Sequence, residues 1–320
     1  MSVTADPEGV VPSTSQDRFA GSRGESSRWP TRARSLDVEA AFRRPPKVRG
    51  RVLFWVAIAW VSLMILLAIF ANLLPLHRYD LLVTSLSPST APGWRAEFLG
   101  TDSTGRSVLS RIIFGARESM LVSVLAASLT FVVGLAIGVV AGFFRGKVDA
   151  VISVVLDAVL AIPSLILLIA IASVGRSGTA TLVVSLGIVG IPSVARLARA
   201  ATLALADRDY IVAARVMGAT NVRIIVRELL PEIVLRVSSF VFLLMALFLV
   251  AEGSLSYLGL GVPPPTPSWG GMIADGQSYL STQPYLILVP TAFLFLTVYS
   301  FTVIGDRARR HFDSRESGLQ

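Results

Sequence analysis

Cysteine is absent from the 320-residue sequence, and lysine occurs only at Lys47 and Lys147. The lack of thiols excludes disulfides, thiolate chemistry and cysteine metal sites. A phosphate-binding loop needs Gly-x4-Gly-Lys-Ser/Thr, whose lysine contacts the β- and γ-phosphates of a nucleotide. Neither lysine fits, since Val148 follows Gly146-Lys147 and no glycine stands five residues before Gly146. The sequence therefore predicts no cofactor, no metal site and no ATPase site in this chain.

Charged residues are also scarce: they make up 16% of the chain, whereas hydrophobic residues make up 53%. The mean hydropathy of +0.68 exceeds that of ordinary water-soluble domains. Six apolar runs are each near the length of about 20 residues that a helix needs to cross a bilayer. They are 52–74, 119–144, 151–174, 179–195, 233–258 and 284–304. We therefore predict an all-α integral membrane protein with six transmembrane helices.

The chain divides by composition into a polar tail over residues 1–50, a membrane domain over 51–306 and a short tail over 307–320. The first tail is rich in Ser, Pro, Gly and Arg and has too few large apolar residues to fold alone, so we expect it to be disordered. It lacks the apolar core of a signal peptide, and the first apolar run is too long for one. That run should remain as the first span.

The net charge of +8 reflects the orientation of the chain in the membrane rather than nucleic-acid binding, because the arginines cluster before and between the apolar runs. Placing the N-terminus inside puts 23 of the 29 Lys and Arg residues on the cytoplasmic side. Six spans return the chain to the side where it started. The sequence thus predicts a multi-pass membrane protein with both termini in the cytoplasm and no nucleic-acid partner.

Small residues mark one face of the second span, where Gly134, Gly138 and Gly142 recur every four residues. Such a stripe lets another helix backbone approach closely. We interpret it as a packing surface, and a substrate path along that face is the alternative. Prolines inside the third, fourth and sixth spans each remove a backbone hydrogen bond and favour kinks: Pro163, Pro192 and Pro290.

Two carboxylates fall inside predicted spans. Asp157 lies about two turns into the third span, where an ionised group must face protein or water. It is either a functional group or a hydrated structural contact near the cytoplasmic end. Glu252 lies about five residues from the end of the fifth span, where it lines a pathway or makes an interfacial contact. Asp157, Pro163 and Glu252 are our candidates for the translocation path or its gate.

The connection over residues 207–231 between the fourth and fifth spans reads as two short amphipathic helices around a turn. Asp207 or Asp209 can cap the first helix, and Gly218 can supply the left-handed residue that ends it. Thr220 can cap the second helix, and Pro231 marks its boundary. We expect this helix pair to project into the cytosol.

The same connection resembles the cytoplasmic loop of permease subunits of ATP-binding-cassette importers, specifically the C-type subunits of dipeptide, oligopeptide and nickel uptake systems. That loop has a Glu-Ala-Ala pattern, a glycine four residues after the second alanine, and a distal Leu-Pro. The matching residues are Ala213, Ala214, Gly218, Leu230 and Pro231. Val212 stands where the family often has Glu, and Glu228 where this branch often has His.

Three further blocks carry the resemblance across about residues 95–315. Residues 100–111 and 115–117 are similar to the segment before the family's second span, with Ser107 in place of a frequent Asp. Asp149, Asp157 and Pro163 fit the third-span pattern, with Val154 where an Arg is common. Residues 258–276 are close to the family's outer loop, and 305–306 to its end.

The resemblance implies a type I importer permease fold in which the helix pair couples to a separate ATPase. The coupling residues would be Tyr210, Ala213, Ala214, Arg215, Gly218, Ala219, Leu230 and Pro231. The implied partners are a second, B-type permease, two ATPase subunits that bind ATP and Mg, an extracytoplasmic substrate-binding protein and the lipid membrane. Trp269 and Asp275 would be docking contacts on the outer loop.

The implied function is a permease subunit of an importer for di- or oligopeptides or a related small solute. The alternative is an ion-gradient-driven secondary transporter or a channel subunit, which would place ionisable residues near the bilayer midplane. Apart from Asp157, the sequence places few ionisable residues near the bilayer midplane. The proline-rich segment with Trp269 can also serve simply to anchor the outer loop at the membrane interface.

Overall fold

The computed structural model of the chain describes residues 47–75, 77–83, 88, 90–93, 98–175 and 177–316. Throughout these residues the secondary structure is helical, joined by turns and loops. The helices are α1 Lys47–Phe70, α2 Val108–Phe144, α3 Gly146–Ala161, α4 Ser164–Val174, α5 Thr179–Ala206, α6 Asp209–Val216, α7 Asn221–Tyr257, α8 Trp269–Gly276 and α9 Tyr285–Glu316.

Five of these helices are long and apolar enough to cross a membrane: α1, α2, α5, α7 and α9. The predicted third span is instead the pair α3 and α4, which meet at an angle of 91°. If this bent pair counts as one span, the number is the predicted six. The break follows from Pro163, which lacks an N–H donor and disfavours helical geometry at the residue before it. Ile162 accordingly has extended backbone angles, φ −86° and ψ 129°.

The other two prolines that we expected to kink helices lie within unbroken ones, Pro192 in α5 and Pro290 in α9. The predicted tail boundaries also differ from the helix bounds. Helix α1 already begins at Lys47, and α9 continues past residue 306 to Glu316. Of the tail predicted to be disordered over residues 1–50, residues 1–46 lie outside the described residues, and 47–50 belong to α1.

The two ends of the bundle differ in composition. The basic end contains the α2–α3 corner, the helix α6 and the C-terminal part of α9. The loop end contains the described parts of the segment 71–107 and the helix α8. The polypeptide enters α1 at the basic end and reaches the loop end at Phe70. Helix α2 then returns it to the basic end at Phe144.

Helices α2 and α5 pack along the predicted glycine seam. A Cβ placed on Gly138 would lie 2.3 Å from the carbonyl oxygen of Ala195 and 2.7 Å from the Cβ of Ala198. At Gly134 and Gly142 the closest atoms belong to Val194 and lie at 2.8 Å, and to Thr202 at 2.7 Å. No side chain fits at these distances, so the interpretation as a packing surface is confirmed.

Candidate functional site

Helix α6 ends in the turn that Gly218 was predicted to form. Gly218 has a φ of +81°, in the left-handed region that favours glycine. The Gly218 N–H donates to the carbonyl of Arg215 at 3.1 Å, and the Ala219 N–H donates to that of Ala214 at 3.0 Å. These two bonds form a Schellman motif, which satisfies carbonyls at the helix end and reverses the chain.

The helix caps follow the prediction at one site and depart from it at another. The Thr220 hydroxyl accepts a hydrogen bond from the Arg223 N–H, which confirms it as a cap. The expected cap at Asp207 or Asp209 is wrong, because the capping position is Arg208 and no side chain caps there. Asp207 instead pairs with Arg145 at 2.8 Å.

The second helix of the predicted pair is not separate from the fifth span, since α7 runs from Asn221 to Tyr257. The expected boundary at Pro231 coincides with the change from π-helical turns to α-helix at Leu230, but the helix does not break there. Residues Ile224–Leu229 form π-helical turns, and the Leu230 N–H donates to the carbonyl of Ile225, five residues back. This shifted hydrogen-bond pattern lets the helix continue through Pro231, which has no N–H to contribute. One rigid element thus joins the α6 turn to the loop end.

An apolar surface is exposed around the turn between α6 and α7. Val216 and Met217 are 82% and 81% exposed, and Val222 and Val226 are also exposed. Large apolar side chains exposed in this way are typical of protein–protein or membrane interaction sites. Of the predicted coupling residues, Ala213, Arg215, Gly218 and Pro231 are exposed, and Ala214, Ala219 and Leu230 are half-buried.

Helix α6 is fixed to the bundle beneath this surface. Ile211 and Ile224 are fully buried, and the Arg215 guanidinium lies 5.7 Å from the centroid of the Phe143 ring on α2. The Tyr210 hydroxyl donates to Glu232 at 2.9 Å. Desolvation, together with this hydrogen bond, raises the pKa of Tyr210 to about 12, so the phenol stays protonated and the bond persists at physiological pH. These contacts tie α6 to α2 and α7.

Ion pairs join α3 to the basic end of α5. Arg199 donates to both carboxylate oxygens of Asp149, from Nε at 2.5 Å and from Nη2 at 2.7 Å. Arg196 pairs with Asp157 at 2.5 Å, and both side chains are more than half exposed. Asp157 is therefore paired to the neighbouring helix, and its role in the path or its gate stays a prediction.

Pro163 lies at the bend between α3 and α4 and lines a cavity of about 460 Å³. The walls are mostly apolar and come from α4, α5 and α7, including Leu186, Leu244 and Phe248. The structure thus places Pro163 on a groove, and Asp157 six residues before it on the same bent segment.

At the loop end, Asp102 organises the segment before α2. Its Oδ1 accepts hydrogen bonds from the Thr104 and Arg106 N–H groups at 2.8 and 2.9 Å, and its Oδ2 pairs with Arg111. Burial alone would raise the pKa of Asp102, but the hydrogen bonds and the charge of Arg111 outweigh it and lower the pKa below 3.8. Asp102 is therefore ionised in neutral solution.

Arg111 also reaches Asp275 on α8, at 3.3 Å. Arg111 is buried, whereas the Asp275 side chain is 56% exposed. No sequence pattern signals this contact, because the two residues are 164 positions apart and no periodicity relates them. Asp275 therefore lies on the surface of the loop end, as a docking contact requires, and it is linked to the start of α2.

Trp269 is not available for docking or for anchoring at the membrane interface, because its side chain is fully buried. Its indole N–H donates to the carbonyl of Ile112 at 3.1 Å, and its backbone N–H donates to the Ser119 hydroxyl at 3.0 Å. A tryptophan at the start of a helix that packs into the bundle satisfies its ring N–H internally. The prediction of Trp269 as a docking contact is therefore wrong, and so is the alternative of anchoring at the membrane interface.

Glu252 belongs to the same buried cluster. It is fully buried and accepts hydrogen bonds from Ser256 at 2.8 Å and from Ser119 at 3.3 Å. Since Ser119 also binds the backbone of Trp269, Glu252 holds α2, α7 and α8 together. It lines neither an open path nor an interface with solvent in this chain.

The comparisons with known proteins agree with this arrangement. The family described as binding-protein-dependent transport system inner membrane component matches residues 134–318. The oligopeptide transport system permease protein OppC of Bacillus subtilis is 31% identical over 305 residues, covering 95% of this chain and 98% of that protein. The glutathione transport system permease protein GsiD of Pectobacterium atrosepticum is 36% identical over 220 residues, covering 69% and 73%.

Two further matches support the same conclusion. The di/tripeptide transport system permease protein DppC of Pseudomonas aeruginosa is 34% identical over 237 residues, covering 74% of this chain and 78% of that protein. The inward-facing MetNI methionine ABC transporter matches in fold, with a TM-score of 0.54 and 24% identity, covering 64% of this chain and 97% of that chain. The chain belongs to the family of inner membrane components of binding-protein-dependent transport systems, and is a non-enzymatic permease subunit of an ATP-binding-cassette importer rather than an ion-driven transporter.

Proposed function

We propose that this protein is a permease subunit that carries di- or oligopeptides inward through the bacterial plasma membrane. The observation that supports it best is the exposed α6–α7 turn, an apolar surface fixed by Gly218 at one end of a 37-residue helix. Relatives named as oligopeptide, di/tripeptide and glutathione permeases support the peptide substrate. The basic end would lie in the cytoplasm, where positive residues accumulate.

The coupling surface would receive one of two ATPase subunits, which bind ATP and Mg and supply the energy. Its residues would lie around the turn and directly after the π-helical segment: Tyr210, Ala213, Ala214, Arg215, Gly218, Ala219, Leu230 and Pro231. When the ATPase closes on α6, the bond from Tyr210 to Glu232 and the buried Ile211 would move α7 as a rigid body. The movement of α7 would thereby be transmitted to Glu252 and α8 at the outer side.

The groove at Pro163 would form half of the translocation path, and a second, B-type permease would supply the other half. A substrate-binding protein would dock at the outer side, where Asp275 is exposed. The Asp157–Arg196 pair would act as a positioning contact that holds the bent segment against α5. The N-terminal segment 1–46 would lie in the cytoplasm.

The test is uptake of labelled peptide into proteoliposomes that contain this chain, its partner permease, the ATPases and the binding protein. We expect uptake only with ATP inside the compartment that holds the ATPases, and no uptake when a proton or sodium gradient replaces ATP. Uptake by this chain alone, driven by an ion gradient, would refute the proposal.

A further inference from the structure

A second cavity opens at the basic end between α5, α7 and α9, with a volume of about 630 Å³. Three arginines line it, one from each helix: Arg196, Arg236 and Arg309. Asp306 is the single carboxylate among its lining residues. Arginines therefore outnumber carboxylates in the lining itself, which also contains the hydroxyls of Ser239 and Thr302.

Carboxylates outside the cavity hold two of these arginines in place. Asp157 on α3 pairs with Arg196 at 2.5 Å, and Glu232 on α7 pairs with Arg236 at 2.7 Å. A guanidinium carries five N–H donors, and the pair with Asp157 uses one nitrogen of Arg196. An arginine fixed in this way presents its other donors in a defined direction, as recognition of a planar anion requires.

The cavity continues the groove at the helix break. Ser193 on α5 lines both the cavity at Pro163 and the cationic cavity. On α7 the groove passes from Phe248 and Leu244 to Arg236, so that an apolar section leads to a charged end. Apolar walls contact side chains of many shapes, whereas an arginine cluster distinguishes an anion from a neutral group.

We infer that Arg196, Arg236 and Arg309 form a binding site for the C-terminal carboxylate of the transported peptide, at the inner end of the path. This inference rests on the proposed peptide function. A phospholipid headgroup carries an anion of related chemistry, and basic cavities between helices can bind it. The continuity with the groove at Pro163 favours the peptide, because its side chains would occupy the apolar section while its carboxylate reaches the arginines.

The site is connected to the coupling surface. Arg236 pairs with Glu232, and Glu232 also accepts the hydrogen bond from Tyr210 on α6. A displacement of α6 by the ATPase therefore changes how Arg236 is held. The affinity of the site for a carboxylate would fall or rise with the ATPase cycle, which allows the peptide to be released at the inner end.

The experiment compares uptake of an alanyl-phenylalanine dipeptide with uptake of its C-terminal amide by the complete importer in proteoliposomes. Each permease variant uses the same binding protein, so the ratio of the two rates isolates the contribution of the permease. For Arg196→Gln we expect the ratio of free peptide to amide to fall about threefold, a modest value because the side chain is half exposed. Arg145→Gln is the matched control, since Arg145 also pairs with an aspartate at the basic end but lies outside the cavity lining.

A second variant covers the case in which Arg196→Gln fails to assemble. Ser239→Asp adds a negative charge to the cavity and leaves the pair of Arg196 with Asp157 intact, and we expect it to lower the ratio as well. An unchanged ratio in the assembled variants would overturn the inference. A lipid headgroup would instead occupy the cavity if two results were found together. The wild-type uptake rate would depend on the content of anionic lipid, and Arg196→Gln would remove that dependence without changing the ratio of free peptide to amide. Failure of the wild type to take up either peptide would refute the proposed function.

Discussion

Gly218 has a left-handed backbone conformation and open surroundings. A Cβ placed on it would meet no neighbouring group within 4 Å. Replacement by alanine therefore acts through backbone strain, which costs about 1 kcal/mol at such a position. Because the strain would loosen the Schellman motif, we expect Gly218→Ala to lower peptide-stimulated ATP hydrolysis by the importer. The measurement is the ratio of stimulated to basal ATPase activity.

Gly259 offers a matched control at the loop end. It has a φ of +79° and open surroundings, and the same pair of hydrogen bonds follows α7 there, from Gly259 to Ser256 and from Leu260 to Leu255. Gly259→Ala should lower thermal stability about as much as Gly218→Ala and leave the stimulation ratio near that of the wild type. Equal ratios in the two variants would show that the α6 turn has no special part in coupling.

Asp102 makes the segment before α2 sensitive to acid. Because its pKa is lower in the folded protein than in the unfolded chain, the ionised form stabilises the fold above the ordinary pKa of 3.8, and this stabilisation is lost as the pH falls through the lowered value. Hydrogen exchange at the Arg106 N–H, which donates to Asp102, reports the change. We expect its protection to fall as the pH drops below 3.8, and Asp102→Asn to show no such dependence.

At the scale of elements, sequence patterns predicted the packing of α2 better than the ends of α7. The four-residue glycine period on α2 directly specifies a close helix contact, and α5 occupies it. Pro231 suggested a boundary, but a π-helical segment of six residues absorbs the missing donor and keeps α7 continuous. No residue pattern distinguishes π-helical turns from α-helical ones, so a sequence reading divides this element in two.

The α2–α5 seam gives a prediction about stability. Gly138→Leu would force its Cβ to within 2.3 Å of a backbone carbonyl oxygen, so the two helices must separate along the seam. Overpacking of this kind costs about 1–3 kcal/mol. We expect a lower melting temperature in detergent, measured by intrinsic tryptophan fluorescence. Gly253→Ala is the control, because the nearest atom to its Cβ lies 3.6 Å away; a similar loss in both variants would contradict the close packing.

At the scale of the whole molecule, the span count and the position of the α6 turn could be predicted because each depends on neighbouring residues. The arrangement at the loop end could not, since it depends on residues far apart in the chain. Trp269 reads as an exposed aromatic in a proline-rich loop, yet it is buried against Ile112, 157 positions away. Glu252 likewise reads as a pathway residue until Ser119 and Ser256 are placed beside it.

The central claim is that energy enters through the α6–α7 turn from a separate ATPase. The most direct measurement is photo-crosslinking in membranes of the native host, with a photoreactive amino acid in place of Met217, which is 81% exposed. A probe in place of Tyr257, exposed at the opposite end of α7, is the control. We expect the Met217 probe to capture a protein that carries a phosphate-binding loop, identified by mass spectrometry, and the Tyr257 probe to capture none. Capture of such a protein at Tyr257 and not at Met217 would contradict the account.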